Sequence, residues 1–496
     1  MFGWFKKRRA GKNGSQFFRG FAAAEVSRLL APWNFDGGFS NSEVSTALAV
    51  IRQRSREMQK NSEHFANFLR LFKNNVVGTG FTLKAQPCEM VGVPAVDDSA
   101  KRFIQYHFWK WATSRDEVDM TGRKTFASVC RLLAENWARD GEGFVLIDRA
   151  APTTYGFSLR VIRPDGIDET MNGAGTTDET IIRNGVEVNR RTLRPVAYYF
   201  KAGREDPEAG LYLGRRSYRV PAAEVLHLYT QHDETQTRGI PLGHAVLKKL
   251  KMLDLYNEAE LVAARDEANT TGIYHAPHNS GTGELTSYED DEAAALTMPS
   301  EPGTKIMLDP GWDYKTVTPT HPNREAVNMT NAYLRAIAVG LGVEYANFTG
   351  DWAGVSYSSV RVGTLSERDN WKVLQQDFIE QIVAPIFRAW LRSFLARPVA
   401  NPYVPSDFER LCEAEFQART WEWVDPMKDV NAAVIAVEHG WKTNEEITAQ
   451  YGGADFIENC GRLKIENEAK KDAGILTAPP KAEKQNGGDD EESEEN

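Results

Sequence analysis

Four cysteines in 496 residues leave little thiol chemistry. Cys88, Cys130, Cys412 and Cys460 are far apart and form no CxxC pair, so neither a disulfide framework nor a zinc site is expected, and a reduced, cytosolic setting fits. No apolar run reaches the roughly 18 residues of a membrane-spanning helix, so no membrane partner is expected. The start, Met1-Phe2-Gly3-Trp4-Phe5-Lys6-Lys7-Arg8-Arg9, lacks the apolar stretch of a secretory signal. There is no GxxxxGK[ST] loop, hence no P-loop motor, and neither HExxH nor GxSxG occurs. Gly78-Thr79-Gly80 and Gly281-Thr282-Gly283 are too short for a dinucleotide fingerprint. His227 and His232 lack a third ligand, as do His275 and His278, so no metal or other cofactor is expected. Excess positive charge is missing too. The net charge of −10 argues against a protein that simply coats nucleic acid.

Apolar residues at 41 % and charged residues at 26 % suit a soluble chain able to bury cores. At roughly 150 residues per domain, its length suggests two to four domains. Residues 41–77 read as helix, with Leu48, Ile51, Ser55 and Met58, then Phe65, Phe68, Leu69 and Phe72, at helical spacing. Arg52, Arg54 and Arg56 suggest a phosphate-binding comb, but a solvated helix face is the favoured reading. Further helices are expected over 99–112 and 124–139. Asp140-Gly141-Glu142-Gly143 reads as a helix-to-strand turn, because it lacks the ligand spacing of a calcium loop. Strands are expected at 144–147, 157–162, 180–183, 186–189, 197–200 and 224–229. Asn184-Gly185 between two of them predicts a type I′ hairpin, whose central residues both need positive φ. Residues 41–235 thus read as one α+β domain.

The stretch that follows has a distinct layout. A helix over 239–269, opened by Pro241 in its first turn, would be ~45 Å long, longer than most globular helices. An insert over 271–319 carries the acidic run Glu289-Asp290-Asp291-Glu292 and a hairpin pairing 304–308 with 312–317. A second helix starts at Pro322. Its Val327, Leu334 and Ile337 would share an apolar face with Val246, Leu250 and Leu253 of the first. Next comes a loop over 349–359 with Gly350, Asp351, Trp352, Ser356 and Tyr357. A third long helix, 359–395, should kink or break at Pro385. Pro398, Pro402 and Pro405 read as a linker to three C-terminal helices, near 426–437, 443–451 and 456–469. Residues 1–20 form a basic arm, and 477–496 an acidic tail expected to be disordered.

Several of these pieces, in this order, resemble the lambda-type portal proteins of tailed bacteriophages. They are Arg54-Ser55-Arg56, Asn74-Asn75-Val76-Val77-Gly78-Thr79-Gly80, Asp140-Gly141-Glu142-Gly143 and Gln236-Thr237-Arg238-Gly239-Ile240-Pro241. Gly340-Leu341-Gly342-Val343, Thr349-Gly350-Asp351, Tyr357-Ser358-Ser359-Val360-Arg361 and Trp423-Val424-Asp425-Pro426-Met427-Lys428-Asp429 follow, then Gly440-Trp441-Lys442-Thr443. The likeness spans about residues 20–475. It departs at Asp351-Trp352-Ala353-Gly354-Val355-Ser356, where a more polar stretch is expected before Tyr357, which bears on the loop's contacts.

The resemblance implies a portal fold of the α+β class that assembles into a ring, a homododecamer in the particle. Its parts would be an α+β wing (21–238 with 345–400), a helical stem (239–270 and 320–344), a small α/β clip (271–319) and a helical crown (401–476). It implies no enzyme. The ring would sit at one capsid vertex, with major capsid protein and scaffold around it and double-stranded DNA passing through without sequence recognition. Terminase, and later head-completion or adaptor proteins, would dock on the clip through Glu289, Asp290, Asp291 and Glu292. The loop with Trp352 and Tyr357 would project into the channel or pack between subunits. Two other readings stay open: a nucleic-acid-processing enzyme with an unrecognised carboxylate site, and a purely structural head–tail connector.

Overall fold

The computed structural model describes residues 41–91, 95–202, 205–206, 211–212, 216–269, 272–275, 313–316, 324–354, 356–397, 401–421, 426–451 and 455–474. The arm 1–20, the tail 477–496 and Glu289-Asp290-Asp291-Glu292 lie outside them.

The helical pattern over 41–77 resolves into two helices, α1 (Asn41–Asn61) and α2 (Glu63–Val76). The break is a single residue: Ser62, at the N-cap position of α2, has extended backbone (φ −112°, ψ 116°) but its side chain makes no capping hydrogen bond. Helix α3 (Asp98–Thr113) is capped by the Asp97 carboxylate, which accepts from the amides of Ser99 and Ala100. Helix α4 (Phe126–Asp140) is capped by Thr125 and ends on Gly141, whose φ of 89° gives the left-handed turn that glycine adopts without penalty.

That turn feeds β2 (Glu142–Asp148). Strand β1 (Thr82–Ala85) lies earlier in the chain, and β3 (Ser158–Ile162) and β8 (Val225–Tyr229) flank β2 in an antiparallel three-stranded sheet. A second antiparallel sheet holds β4 (Thr180–Arg183), β5 (Val186–Asn189), β6 (Pro195–Ala202) and β7 (Arg216–Pro221) in that order, with the short pair at Gly173–Ala174 on its edge. Asn184 and Gly185 join β4 to β5 with φ of 51° and 81°, the positive values a type I′ turn demands.

The long helices follow: α5 (Leu247–Asn269) and α6 (Arg324–Leu341), with the antiparallel pair β9 (Gly272–His275) and β10 (Asp313–Thr316) between them. The expected strand at 312–317 is present, but its described partner is 272–275, while 304–308 lies outside the described residues. Helix α5 also begins later than the sequence suggests. Residues 241–246 form turns, so Pro241 precedes the helix instead of opening it.

Helix α7 (Tyr357–Phe378) runs through a π turn (Ile379–Val383) into α8 (Ala384–Leu395). The amide of Ala384 bonds to the carbonyl of Ile379. Pro385 follows immediately, and having no N–H of its own it is accommodated by this wider turn instead of a break.

Pro402 and Pro405 do not mark a free linker, while Pro398 lies outside the described residues. Phe408, Leu411 and Cys412 are buried in the main core, and β11 (Ala414–Gln417) pairs antiparallel with β1, Thr82 facing Gln417. The C-terminal helices are α9 (Pro426–Glu438), α10 (Asn444–Tyr451) and α11 (Phe456–Asp472).

The main core is largely aromatic. Trp111, Trp137 and Trp390 are fully buried. The Phe72 ring meets Trp137 (5.5 Å) and Trp371 (5.7 Å) nearly edge-on, and Phe108 meets Trp390 at 5.2 Å. Such pairs add about 0.5–1.5 kcal/mol each beyond the area they bury. The segments 58–159, 246–253, 334–348 and 371–412 all contribute residues to this one core.

Candidate functional site

Helices α5 and α6 stand on this core. Val246, Leu250, Leu253, Leu334 and Ile337 are buried in it, beside Phe65, Phe68 and Phe348. The bases of the two helices approach very closely. A Cβ added to Gly340 would lie 2.4 Å from Val246 Cγ1, so only glycine fits there. Past Leu253 the character changes: none of residues 254–265 is buried, and Leu255, Leu261 and Val262 are exposed. The facing part of α6 exposes Met329, Tyr333 and Val327, the last at 58 %. Val327, expected on the shared face, therefore does not pack within the chain. Beyond their roots the two helices present apolar surface that the described residues leave uncovered. Lys251 pairs with Glu57 (3.2 Å), and Lys248 and Lys249 are exposed.

The root itself is locked by a cluster absent from the sequence-level expectations. Glu142 is fully buried. Arg238 Nε lies 3.1 and 3.0 Å from its two oxygens, Gly239 N–H donates to Oε2 (2.9 Å), and His227 Nε2 is 3.0 Å from Oε2. Arg52 donates to Glu142 and to Glu169. Burial alone would raise the Glu142 pKa, but Arg238 and Arg52 more than reverse this and hold it well below the usual carboxylate range. His227 is pushed down by burial, consistent with a neutral imidazole stacked between Phe144 (4.2 Å) and Tyr229 (4.4 Å). Nearby, Arg56 pairs with Asp140 (2.8 Å) and Asp165 (2.7 Å). Arg52 and Arg56 thus form neither a phosphate comb nor a solvated face. They tie α1 to the turn after α4, while Arg54 is exposed.

Backbone contact completes the lock. A Cβ on Gly141 would fall 2.2 Å from the carbonyl carbon of Ile240, and one on Gly239 would fall 2.1 Å from Gly141 O. The turn 140–143 and the strap 236–241 are pressed together without side chains between them. The pattern that could have revealed this is the pairing of a buried-type acid, Glu142, with glycines on both segments.

The loop after α6 is compact. Leu341 is followed by Gly342 (φ 68°), then a short helix (Tyr345–Thr349) ends on Gly350 (φ 76°). Asp351 Oδ1 accepts from Ala353 N–H (3.0 Å), Gly354 has φ 71°, and Trp352 is 51 % exposed. Ser356 caps α7 by accepting from Ser359 N–H (3.3 Å), so Tyr357 belongs to the first helical turn. Its side chain lies outside the described residues, which leaves 350–356 as the loop proper.

No group of His, Cys, Asp or Glu among the described residues could hold a metal ion. No described helix is long and apolar enough to cross a membrane. Glu142 and Asp140 are buried and neutralised by arginines, an arrangement that fixes structure.

Residues 26–375 match the lambda family of phage portal proteins. The chain is 31 % identical over 425 residues to a probable portal protein of Halomonas phage phiHAP-1, covering 85 % of this chain and 81 % of that one. It is 24 % identical over 462 residues to portal protein B of Escherichia phage lambda, with 85 % and 84 % covered. Among solved structures, it is similar to a chain from the neck of a native gene transfer agent particle computed with C12 symmetry. That match has a TM-score of 0.44 and 13 % identity and covers 82 % of this chain and 94 % of the other.

Proposed function

Since the chain belongs to the lambda family of phage portal proteins, we propose that it forms a closed ring of twelve subunits at one capsid vertex, through which double-stranded DNA is packaged and later ejected. The observation that carries this reading is the pair α5 and α6, rooted in the core yet exposing Leu255, Leu261, Val262, Val327 and Met329 beyond it. Apolar side chains at such density around a two-helix stalk call for cover. Repeated around an axis, each stalk covers the next until the rotation closes, giving a rigid channel wall.

In this ring, residues 21–238 and 345–400 are the wing, 271–319 the clip and 401–476 the crown. Terminase docks on the clip, with Glu289, Asp290, Asp291 and Glu292 on the docking surface, and head-completion or adaptor proteins replace it after packaging. Major capsid protein and scaffold meet the outer face during assembly in the host cytoplasm. The loop 349–359, with Trp352 exposed, is nearest the DNA. The net charge of −10 suits a mostly acidic lining, because cationic contacts would release counterions and hold phosphate in place. The protein acts as conduit and platform, not as an enzyme.

Negative-stain images of the purified protein test this. Rings with a central hole are expected, and compact monomers at high concentration would overturn the reading. Deleting 271–319 should abolish terminase binding while rings still form.

A further inference from the structure

Helix α7 carries a stripe that the channel reading does not use. Arg361, Arg368 and Gln375 are spaced seven residues apart, so they share one face of the helix. All three engage the segment that leads into the C-terminal helices. Gln375 Nε2 donates to Arg419 O (3.0 Å) and to Asn75 O (2.7 Å). The Arg368 guanidinium lies over the Trp421 ring, 5.8 Å from its centroid. Arg361 Nη2 is 3.0 Å from Asp429 Oδ1, in the first turn of α9. Moving toward the N-terminus of α7, the contacts step forward along 419–429, so the two segments run antiparallel.

The two halves of α7 are anchored differently. Glu367, Trp371, Gln375 and Phe378 are buried against the core. None of residues 358–366 is buried. That half projects from the core and leads directly from the turn 350–354. Its contacts are the Glu344 carboxylate, which lies where a Cβ of Gly363 would sit, and the Arg361–Asp429 pair. The C-terminal helices are equally lightly held. No described residue of 427–474 is buried, and Lys101–Asp455 (2.9 Å) and Lys84–Glu445 tie them to the wing.

We infer that α7 couples the C-terminal helices to the turn 350–354: Arg361, Arg368 and Gln375 register the segment leading into α9 along α7, and Arg361 holds α9 itself beside the start of α7, next to that turn. Two lightly packed parts that share a tie cannot loosen independently. A ligand on the exposed face of α9 then biases the adjacent turn, and a ligand at the turn biases the C-terminal helices by reciprocity. This coupling is a property of one chain and does not depend on how many copies assemble.

Amide hydrogen exchange read by mass spectrometry on the full chain tests it, comparing Arg361→Gln, Asp429→Asn and the reversed pair Arg361→Asp/Asp429→Arg. Both side chains are partly exposed (32 % and 21 %), so the fold is not at risk. Each single variant is expected to speed exchange in 350–361 and in 426–438 together by about two- to fivefold, the range for loss of a half-exposed ion pair. The reversed pair should restore both. Acceleration in one segment alone, or in neither, overturns the inference.

Discussion

Arg238 donates to both carboxylate oxygens of Glu142, and neither residue reaches solvent. Glu142 opens the strand after α4 and Arg238 lies in the strap 236–241 before α5, so this pair fixes the base of the stalk to the sheet. Glu142→Gln leaves two buried guanidinium groups to share one partly exposed counter-charge, Glu169. The expected cost is about 3–5 kcal/mol, the range for breaking a buried pair from one side, read from denaturant unfolding. Arg238→Lys should recover little, since an ammonium cannot reproduce the fork.

Acid should act through the same group of residues. Glu142, Asp140 and Glu135 are held below their ordinary pKa, against the burial that would raise them, by arginine and lysine neighbours. Glu187 is held down to about 2, against burial, by the Thr176 amide and Arg219. A depressed carboxylate stabilises the fold above its unfolded pKa and loses that contribution as pH falls through the folded one. Melting temperature should therefore begin to fall below about pH 6.5, where the unfolded His227 takes up a proton that the buried one does not, and fall steeply between about 4.5 and 2.

Gly141 and Gly350 both have positive φ, yet alanine should distinguish them. At Gly350 nothing lies within 4 Å of a new Cβ, so only the left-handed penalty of about 1–2 kcal/mol applies. At Gly141 the Cβ meets the Ile240–Pro241 backbone, which cannot turn aside. A loss above about 4 kcal/mol, or failure to fold, is expected there. Comparing the two unfolding midpoints checks the difference.

At the base of the stalk, Gly340→Ala should cost about 1–3 kcal/mol by overpacking against Val246. Val246→Ala makes room for the added methyl, so the double variant should lose less than the sum of the singles. A thermodynamic cycle measures the difference.

Trp352→Ala removes a half-exposed ring from the loop. Stability should stay within about 0.5 kcal/mol of the parent. An effect on the DNA content of assembled particles, with rings intact, would place the loop at the DNA; its absence would assign the ring a contact between subunits.

Local pattern made much of the fold legible. The Asn184-Gly185 hairpin, the strands and the three C-terminal helices follow from turn chemistry and periodicity over a few residues. What escaped depends on partners far along the chain. Arg52 looks like a surface residue until Glu142 and Glu169 are brought to it. The segment 398–417 looks like a proline linker until β11 finds β1, more than 300 residues earlier. The helix break at Ser62 carries no glycine or proline to announce it. Among the residues at one helical spacing, Leu250 and Ile337 are buried whereas Val327 is exposed, a difference that periodicity alone does not carry.

The core closes across the base of the stalk, because residues on both sides of 254–333 pack into it together. The stalk is therefore an excursion whose two legs leave and re-enter the body side by side. Adding or removing matched helical turns in both legs changes the reach of the molecule without disturbing a contact below Leu253 and Leu334. Length of the stalk and identity of the body are thus free to vary separately, and related chains can fit particles of different dimensions by editing two helices in step.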